Sequence, residues 1–317
     1  MRDDIKEYNT VENVAKKFCE AVKKGKSEIV KPYFYEHACF FGQLNEKTYQ
    51  SGSIEEFYKT IDTNGASSTY NLNNVVNMKI NSYATGDKVD KYNITNSTNI
   101  RMKDSTGNDT YTLTNVINND WNNYLIYEEK GNDIYNLKNS SMYIHEWLGD
   151  DTYTIDNLKN ANKIWDEAGS NDKLTISGLN AKNVFFMANF RKIGTDKCVA
   201  NGDFYIFDKT QKDGFLILKD YLATRTDGGY TYYKTDGSYG NGLIETMYAG
   251  KAKLSELAES FVEDTSDAQI QQLGSAVSSW LATANNGNGY ADVGTMLESG
   301  NTTDINDFIS TFSTALS

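Results

Sequence analysis

One short phrase returns six times between residues 68 and 176, and a chain that repeats itself at such a period stacks its units in a row rather than wrapping them around a single core. The units are Ser68-Thr69-Tyr70-Asn71-Leu72, Asp90-Lys91-Tyr92-Asn93-Ile94, Asp109-Thr110-Tyr111-Thr112-Leu113, Asp133-Ile134-Tyr135-Asn136-Leu137, Asp151-Thr152-Tyr153-Thr154-Ile155 and Asp172-Lys173-Leu174-Thr175-Ile176. Their starts lie 22, 19, 24, 18 and 21 positions apart. Side chains alternate along a strand, so the first, third and fifth residues of each unit share a face. The Tyr and the Leu or Ile then point inward while Thr, Asn or Lys point out. Each interval holds a second apolar piece: Ile100-Arg101-Met102, Leu125-Ile126-Tyr127, Tyr143-Ile144-His145 and Ile164-Trp165. Two strands and two turns in about 20 residues make one coil of a parallel β-solenoid or β-roll. His145 lies on one of these strands, where a structural role is expected.

The chemistry gathers in the turns. Gly107, Gly131 and Gly149 each precede the unit's Asp (Asp109, Asp133, Asp151) by two positions, and an acid stands five positions before the Asp in four units: Asp104, Glu128, Glu146 and Glu167, the last ahead of Asp172. Gly permits a left-handed turn and lets carbonyls converge, while carboxylates supply charge, and Ca²⁺ takes six to eight such oxygens. This pattern resembles the RTX, or hemolysin-type calcium-binding, nonapeptide, with Asp109, Asp133 and Asp151 at its Asp position and Tyr111, Tyr135 and Tyr153 at its large apolar one. The stretch from Ala161 to Leu179 looks like the end of such an array. The leading Gly-Gly pair of that family is replaced here by Asp104-Ser105, Glu128-Glu129, Glu146-Trp147 and Glu167-Ala168. The resemblance implies Ca²⁺ held by Asp104, Gly107, Asp109, Glu128, Gly131, Asp133, Glu146, Gly149, Asp151, Glu167 and Asp172; the alternative is a solenoid with merely solvated acidic turns.

Composition narrows the partners. A net charge of −12 repels phosphates, which makes nucleic acid and anionic membrane surfaces poor partners, and no nucleic-acid partner is expected. No stretch approaches the apolar length of a membrane span, and Met1-Arg2-Asp3-Asp4-Ile5-Lys6-Glu7 carries no export signal of the N-terminal kind. Cys19, Cys39 and Cys198 have no metal-ligand spacing, and with only His37 and His145 a zinc site or His-based triad lacks material.

Residues 1–65 read as an α-rich module. Val11, Val14, Ala15, Phe18, Cys19 and Val22 recur at helical spacing, with Thr10 as N-cap; a second short helix spans Ser27 to Tyr33, and a third spans Ser53 to Thr63, opened by Ser53 and Glu56 in capping-box spacing. Ala38 to Gly42 reads as a short strand. Val11-Glu12-Asn13-Val14, Phe18, Lys24-Gly25, Phe34-Tyr35-Glu36-His37-Ala38 and Gly52-Ser53-Ile54-Glu55-Glu56-Phe57 resemble the start of the SnoaL-like and nuclear-transport-factor-2-like cone fold, especially its lumazine-binding branch. That resemblance implies a pocket with His37, Tyr33, Tyr35 and Glu36 as candidates, although the strands that close the cone are not found downstream.

Residues 66–180 are the repeats, and 181–250 read as a β cap: strands over Gly202 to Phe207, Gly214 to Tyr221 and Leu243 to Met247 resemble the segment that ends hemolysin-type arrays, and a solenoid needs such an end unit. Residues 251–317 turn helical, with stripes of Leu254, Leu257, Ala258 and Phe261, of Ile270, Leu273, Val277, Trp280 and Leu281, and of Ile305, Phe308, Ile309 and Phe312. The end, Ser310 to Ser317, resembles the uncleaved C-terminal signal read by type I secretion machinery. The expected fold is thus α+β: a partial cone-like head, a central parallel β-solenoid, a β cap and C-terminal helices. The expected function is a secreted or surface, bacterial, RTX-like calcium-binding protein, non-catalytic, adhesive or matrix-forming, whose repeats fold outside the cell with Ca²⁺. The alternative is an enzyme or small-molecule binder built on the head, with the repeats as export and folding module; no nucleophile and base stand at fixed spacing to support it.

Overall fold

A computed structural model of the chain describes residues 40–44, 47–51, 60–63, 67, 69–82, 88–118, 125–167, 169, 171–193, 197–221, 246–249, 252–253 and 268–313. Its centre is a parallel β-solenoid in which every coil lays one strand on each of two facing sheets. The tyrosine sheet comprises Thr69–Asn73, Lys91–Thr98, Thr110–Ile117, Ile134–Lys138, Thr152–Ile155, Lys173–Ile176 and Thr246–Ala249, side by side and parallel. The opposite sheet comprises Thr60–Thr63, Lys79–Ser82, Arg101–Lys103, Ile126–Glu128, Tyr143–Glu146 and Asn162–Asp166, again parallel, and Gln211–Leu218 joins its far end.

Register follows the repeat. Tyr70, Tyr92, Tyr111, Tyr135 and Tyr153 are direct neighbours across the strands, with Leu174 next in the row. A one-residue slip would turn every Tyr and aliphatic outward, so the buried face holds the pairing in place. The five rings stack with centroids 4.6–5.0 Å apart and planes within 3–8° of parallel, which is the strand spacing itself expressed in side chains. Beside them Ile94, Leu113, Leu137, Ile155 and Ile176 form the second internal row, and Ile80, Met102, Ile126, Ile144 and Ile164 face them from the opposite sheet.

The turn that leads out of the tyrosine sheet is built on asparagine. Asn96, Asn115 and Asn139 take left-handed backbone angles (φ 49°, 54° and 47°), which Asn tolerates better than other side chains bearing a Cβ. Their amides form a ladder in which Asn96 donates to Asn73, Asn115 to Asn96, Asn139 to Asn115 and Asn160 to Asn139, at 2.8–3.1 Å.

Beyond the coils, Val184–Ile193, Lys197–Asp208 and Gln211–Leu218 make an antiparallel meander that continues the opposite sheet through Asn162↔Leu216. Among the described residues three α-helices follow: α1 (Ala268–Thr283), α2 (Val293–Glu298) and α3 (Thr302–Phe312). Their apolar stripes pack against the meander, with Phe308 fully buried 6.2 Å from Phe207 and beside Trp280 and Phe312. The stripes of Leu273, Val277 and Leu281 and of Ile305, Phe308, Ile309 and Phe312 therefore mark packed helices.

One local expectation is corrected. The end of the helix expected over Ser53 to Thr63 is a strand, Thr60–Thr63, paired in parallel with Lys79–Ser82 so that Ile61 lies beside Ile80. Thr60-Ile61-Asp62-Thr63 is rich in β-branched residues, and an available sheet edge outweighs a capping signal seven residues upstream. Phe40–Leu44 forms a strand where Ala38 to Gly42 was expected to, paired antiparallel with Lys47–Ser51. The expected helices from Thr10 to Tyr33, the cone-like motif through Ala38 with Tyr33, Tyr35, Glu36 and His37, Cys19, and the stripe from Leu254 to Phe261 lie outside the described residues.

Candidate metal centre

The turn leading from the opposite sheet back to the tyrosine sheet carries two columns of acids. In the first, Asp90, Asp109, Asp133, Asp151 and Asp172 stand at the entrance to successive tyrosine strands, each about 1% exposed or less. The backbone N–H of each of the first four donates to Oδ1 of the Asp one coil on: Asp90 to Asp109, Asp109 to Asp133, Asp133 to Asp151 and Asp151 to Asp172, at 2.5–2.7 Å. These bonds pin the side chains of Asp109, Asp133, Asp151 and Asp172 through Oδ1.

In the second column, Asp104, Glu128, Glu146 and Asp166 end successive strands of the opposite sheet, with Glu146 in register with Glu128 on one side and Asp166 on the other. Each meets the tyrosine of its own coil. The hydroxyl of Tyr92 donates to Asp104 (2.6 Å), that of Tyr111 to Glu128 (2.8 Å), that of Tyr135 to Glu146 (3.3 Å) and that of Tyr153 to Asp166 (3.0 Å). The tyrosine stack thus serves twice, as apolar filling and as a row of donors reaching one oxygen of each facing acid.

The two columns converge into three groups: Asp104, Asp109 and Glu128; Asp133, Glu146 and Asp151; and Asp151, Asp166 and Asp172. Within each, one carboxylate oxygen from every member lies within 4.8 Å of the others. Asp109 Oδ2, Glu128 Oε1, Asp133 Oδ2, Asp151 Oδ2 and Asp166 Oδ1 are buried with no hydrogen-bond donor. An ionised carboxylate only accepts, so neighbouring acids cannot satisfy one another without a proton or a cation between them. Burial, reinforced by the charge of other carboxylates, pushes Asp104 up to about 7, Asp109 to about 9 and Asp151 to about 8, and lifts Glu128, Glu146 and Asp166 well above the usual carboxylate range. Burial likewise raises Asp133.

The donor set is all oxygen, which suits a hard cation such as Ca²⁺ and not a thiolate- or imidazole-seeking metal. The orphaned oxygens suit such an ion: they are fixed, buried and grouped. Gly107, Gly131 and Gly149 keep successive turns in close contact. A Cβ on Gly131 would lie 1.6 Å from the Gly107 carbonyl oxygen, and one on Gly149 1.7 Å from that of Gly131, so any side chain there forces the coils apart.

Of the acids expected from the repeat, Asp104, Asp109, Glu128, Asp133, Glu146, Asp151 and Asp172 come together inside the coils. Glu167 does not. It lies on the outer side beside His145 Nε2 at 2.7 Å, and His145 stacks on Trp165 at 4.2 Å. Its place is taken by Asp166, because the fourth interval from inner acid to Asp is six residues rather than five and only the register with Glu146 reveals the shift. The part of the tyrosine hydroxyls also escaped the repeat pattern, since it depends on which coil lies next to which, and Asp90, which opens the second unit, lacks the Gly two positions and the acid five positions earlier that marked Asp109, Asp133 and Asp151.

Fold and site together define a parallel β-solenoid with an internal carboxylate ladder. The chain matches no family model, no curated protein and no solved structure. The functional reading therefore rests on its own geometry.

Proposed function

We propose that this chain is a non-catalytic, calcium-stabilised β-solenoid of the RTX-like kind, which folds outside the bacterial cell and works there as a surface, adhesive or matrix protein. The observation that carries the reading is the set of buried carboxylate oxygens without donors, arranged in groups along the coil axis. In a compartment poor in Ca²⁺ the ladder is a liability, because each ionised pair inside the coils costs free energy. Where Ca²⁺ is plentiful, binding to the folded state alone adds its free energy to folding. Export of an unfolded chain followed by folding outside follows from that asymmetry. On this reading a C-terminal export signal is read before Ile305, Phe308, Ile309 and Phe312 become buried against the meander. The net charge of −12 supports a partner surface that is not anionic.

The test is thermal unfolding followed by far-ultraviolet circular dichroism in metal-stripped buffer at neutral pH and again with millimolar Ca²⁺. The expected result is a gain in β signal or a higher melting temperature with Ca²⁺, lost in an Asp109→Asn, Asp133→Asn, Asp151→Asn triple variant. Equal stability with and without Ca²⁺ refutes the calcium reading. Appearance of the full chain in culture medium, and its loss on deleting the residues after Ile270, tests the export step separately.

A further inference from the structure

We infer that the ladder holds three cations in single file and that two of them form a coupled pair bridged by Asp151, the third, at Asp104, Asp109 and Glu128, being separate. The inference rests on the calcium reading above and adds to it the number, membership and coupling of the sites. Asp151 is the one acid shared by two groups, lying within 4.8 Å of Asp133 and Glu146 on one side and of Asp166 and Asp172 on the other. Its Oδ1 is committed to the N–H of Asp133 and its Oδ2 is buried without a donor, so the side chain is held in place to face both neighbours. The first group shares no member with the others.

Charge supports the same arrangement. Eight carboxylates make up the three groups, and three dications leave two negative charges, one in the separate site and one in the bridged pair. Within the pair, five carboxylates face two dications. The empty pair leaves five charges uncompensated, one ion leaves three and two leave one, so the first ion meets the higher charge and the second binds beside it through the shared Asp151, which couples the two. The tyrosine hydroxyls place a phenol next to every site, those of Tyr92 and Tyr111 at the separate one and those of Tyr135 and Tyr153 at the pair. A lanthanide of similar size to Ca²⁺ would therefore report occupancy of all three through tyrosine-sensitised emission.

The experiment is isothermal titration of the metal-stripped full chain with Ca²⁺ at neutral pH, paralleled by Tb³⁺ luminescence excited through tyrosine. Asn keeps the Oδ1 acceptor that each Asp offers to the preceding coil, so the Asp→Asn variants retain the backbone ladder, and circular dichroism checks their fold. Three ions are expected for the unaltered chain, two for Asp109→Asn and one for Asp151→Asn. Terbium emission should fall in both variants, and the titration counts the ions lost in each. Asp166→Asn, which touches only one member of the pair, should leave the separate site intact and change the affinity at both sites of the pair, as coupling through Asp151 requires. If Asp151→Asn loses a single ion, as Asp109→Asn does, the bridged pair is wrong while the calcium reading stands. If the unaltered chain binds no Ca²⁺, the calcium reading itself falls and the pair falls with it.

Discussion

Stripped of divalent cations, the protein should become less stable as the pH rises from 5 to 7. A carboxyl whose folded pKa is raised keeps its proton in the folded state after the unfolded state has lost it, so the folded state binds more protons and stability falls with rising pH. The contribution is fully present below the ordinary value of 3.8 and is lost as the pH climbs through the folded values, about 7 for Asp104, about 8 for Asp151 and about 9 for Asp109. Between pH 5 and 7 one such group costs about 1.4 kcal/mol per pH unit, hence about 3 kcal/mol across the window. For a chain of this kind that is a fall of roughly 6–12 °C in melting temperature from Asp151 alone, with the coupled acids adding to it. Exposed carboxylates are ionised throughout this window and contribute little slope. A His145→Gln background removes the imidazole–Glu167 contact from the comparison. The assay is urea and thermal unfolding in metal-stripped buffers at half-unit pH steps, then in saturating Ca²⁺, where the slope should vanish because the acids are ionised in the folded state too. A melting temperature that is flat or rises from pH 5 to 7 without metal refutes the buried, proton-holding ladder.

Other consequences can be measured with the same unfolding assay. Gly131→Ala places a methyl group within 1.6 Å of the Gly107 carbonyl oxygen, so the coils must separate; a loss of about 1–3 kcal/mol or more is expected, and an unchanged urea midpoint would contradict the stacked turns. Phe308→Ala opens a cavity under α3 against Phe207 and Trp280 and should cost about 3–5 kcal/mol. A smaller effect would mean that the helices are loosely attached. Replacing Asp109, Asp133 and Asp151 together by Asn should raise stability at pH 8 in metal-stripped buffer while abolishing the response to Ca²⁺.

The parts legible in the sequence are those set by local rules. Period-two alternation put Tyr92, Tyr111, Tyr135 and Tyr153 inside with Ile94, Leu113, Leu137 and Ile155, and the Gly and Asp of each turn marked where a coil closes. The stripes of α1 and α3 were equally plain, because their period of 3.6 is independent of what they pack against. What stayed hidden depends on lateral neighbours. Coil length varies between 18 and 24 residues, so counting back from Asp172 selects Glu167, whereas the strand pairing with Glu146 selects Asp166. Thr60–Thr63 follows a capping-box signal, and its strand is visible only once Lys79–Ser82 lies alongside. The asparagine ladder was invisible for the same reason: Asn96, Asn115 and Asn139 become a row only after stacking.

The two turns of one coil solve the same problem with opposite chemistry, and the contrast explains why the acidic side calls for something from outside. An amide carries both donor and acceptor, so Asn73, Asn96, Asn115, Asn139 and Asn160 complete one another along the axis and need no third party. A carboxylate carries only acceptors. The backbone supplies one donor per Asp and the tyrosines one per facing acid, which leaves Asp109, Glu128, Asp133, Asp151 and Asp166 each with a buried oxygen still lacking a donor. The backbone hydrogen bonds of the Asp column would be served equally well by Asn. Plain stacking therefore requires only an amide at these positions, and the charge that Asp adds destabilises an unfilled coil. Acids in both columns, grouped oxygen to oxygen, make folding conditional on a proton or a cation, and a ladder of this kind turns the chemical composition of the surroundings into the decision to fold.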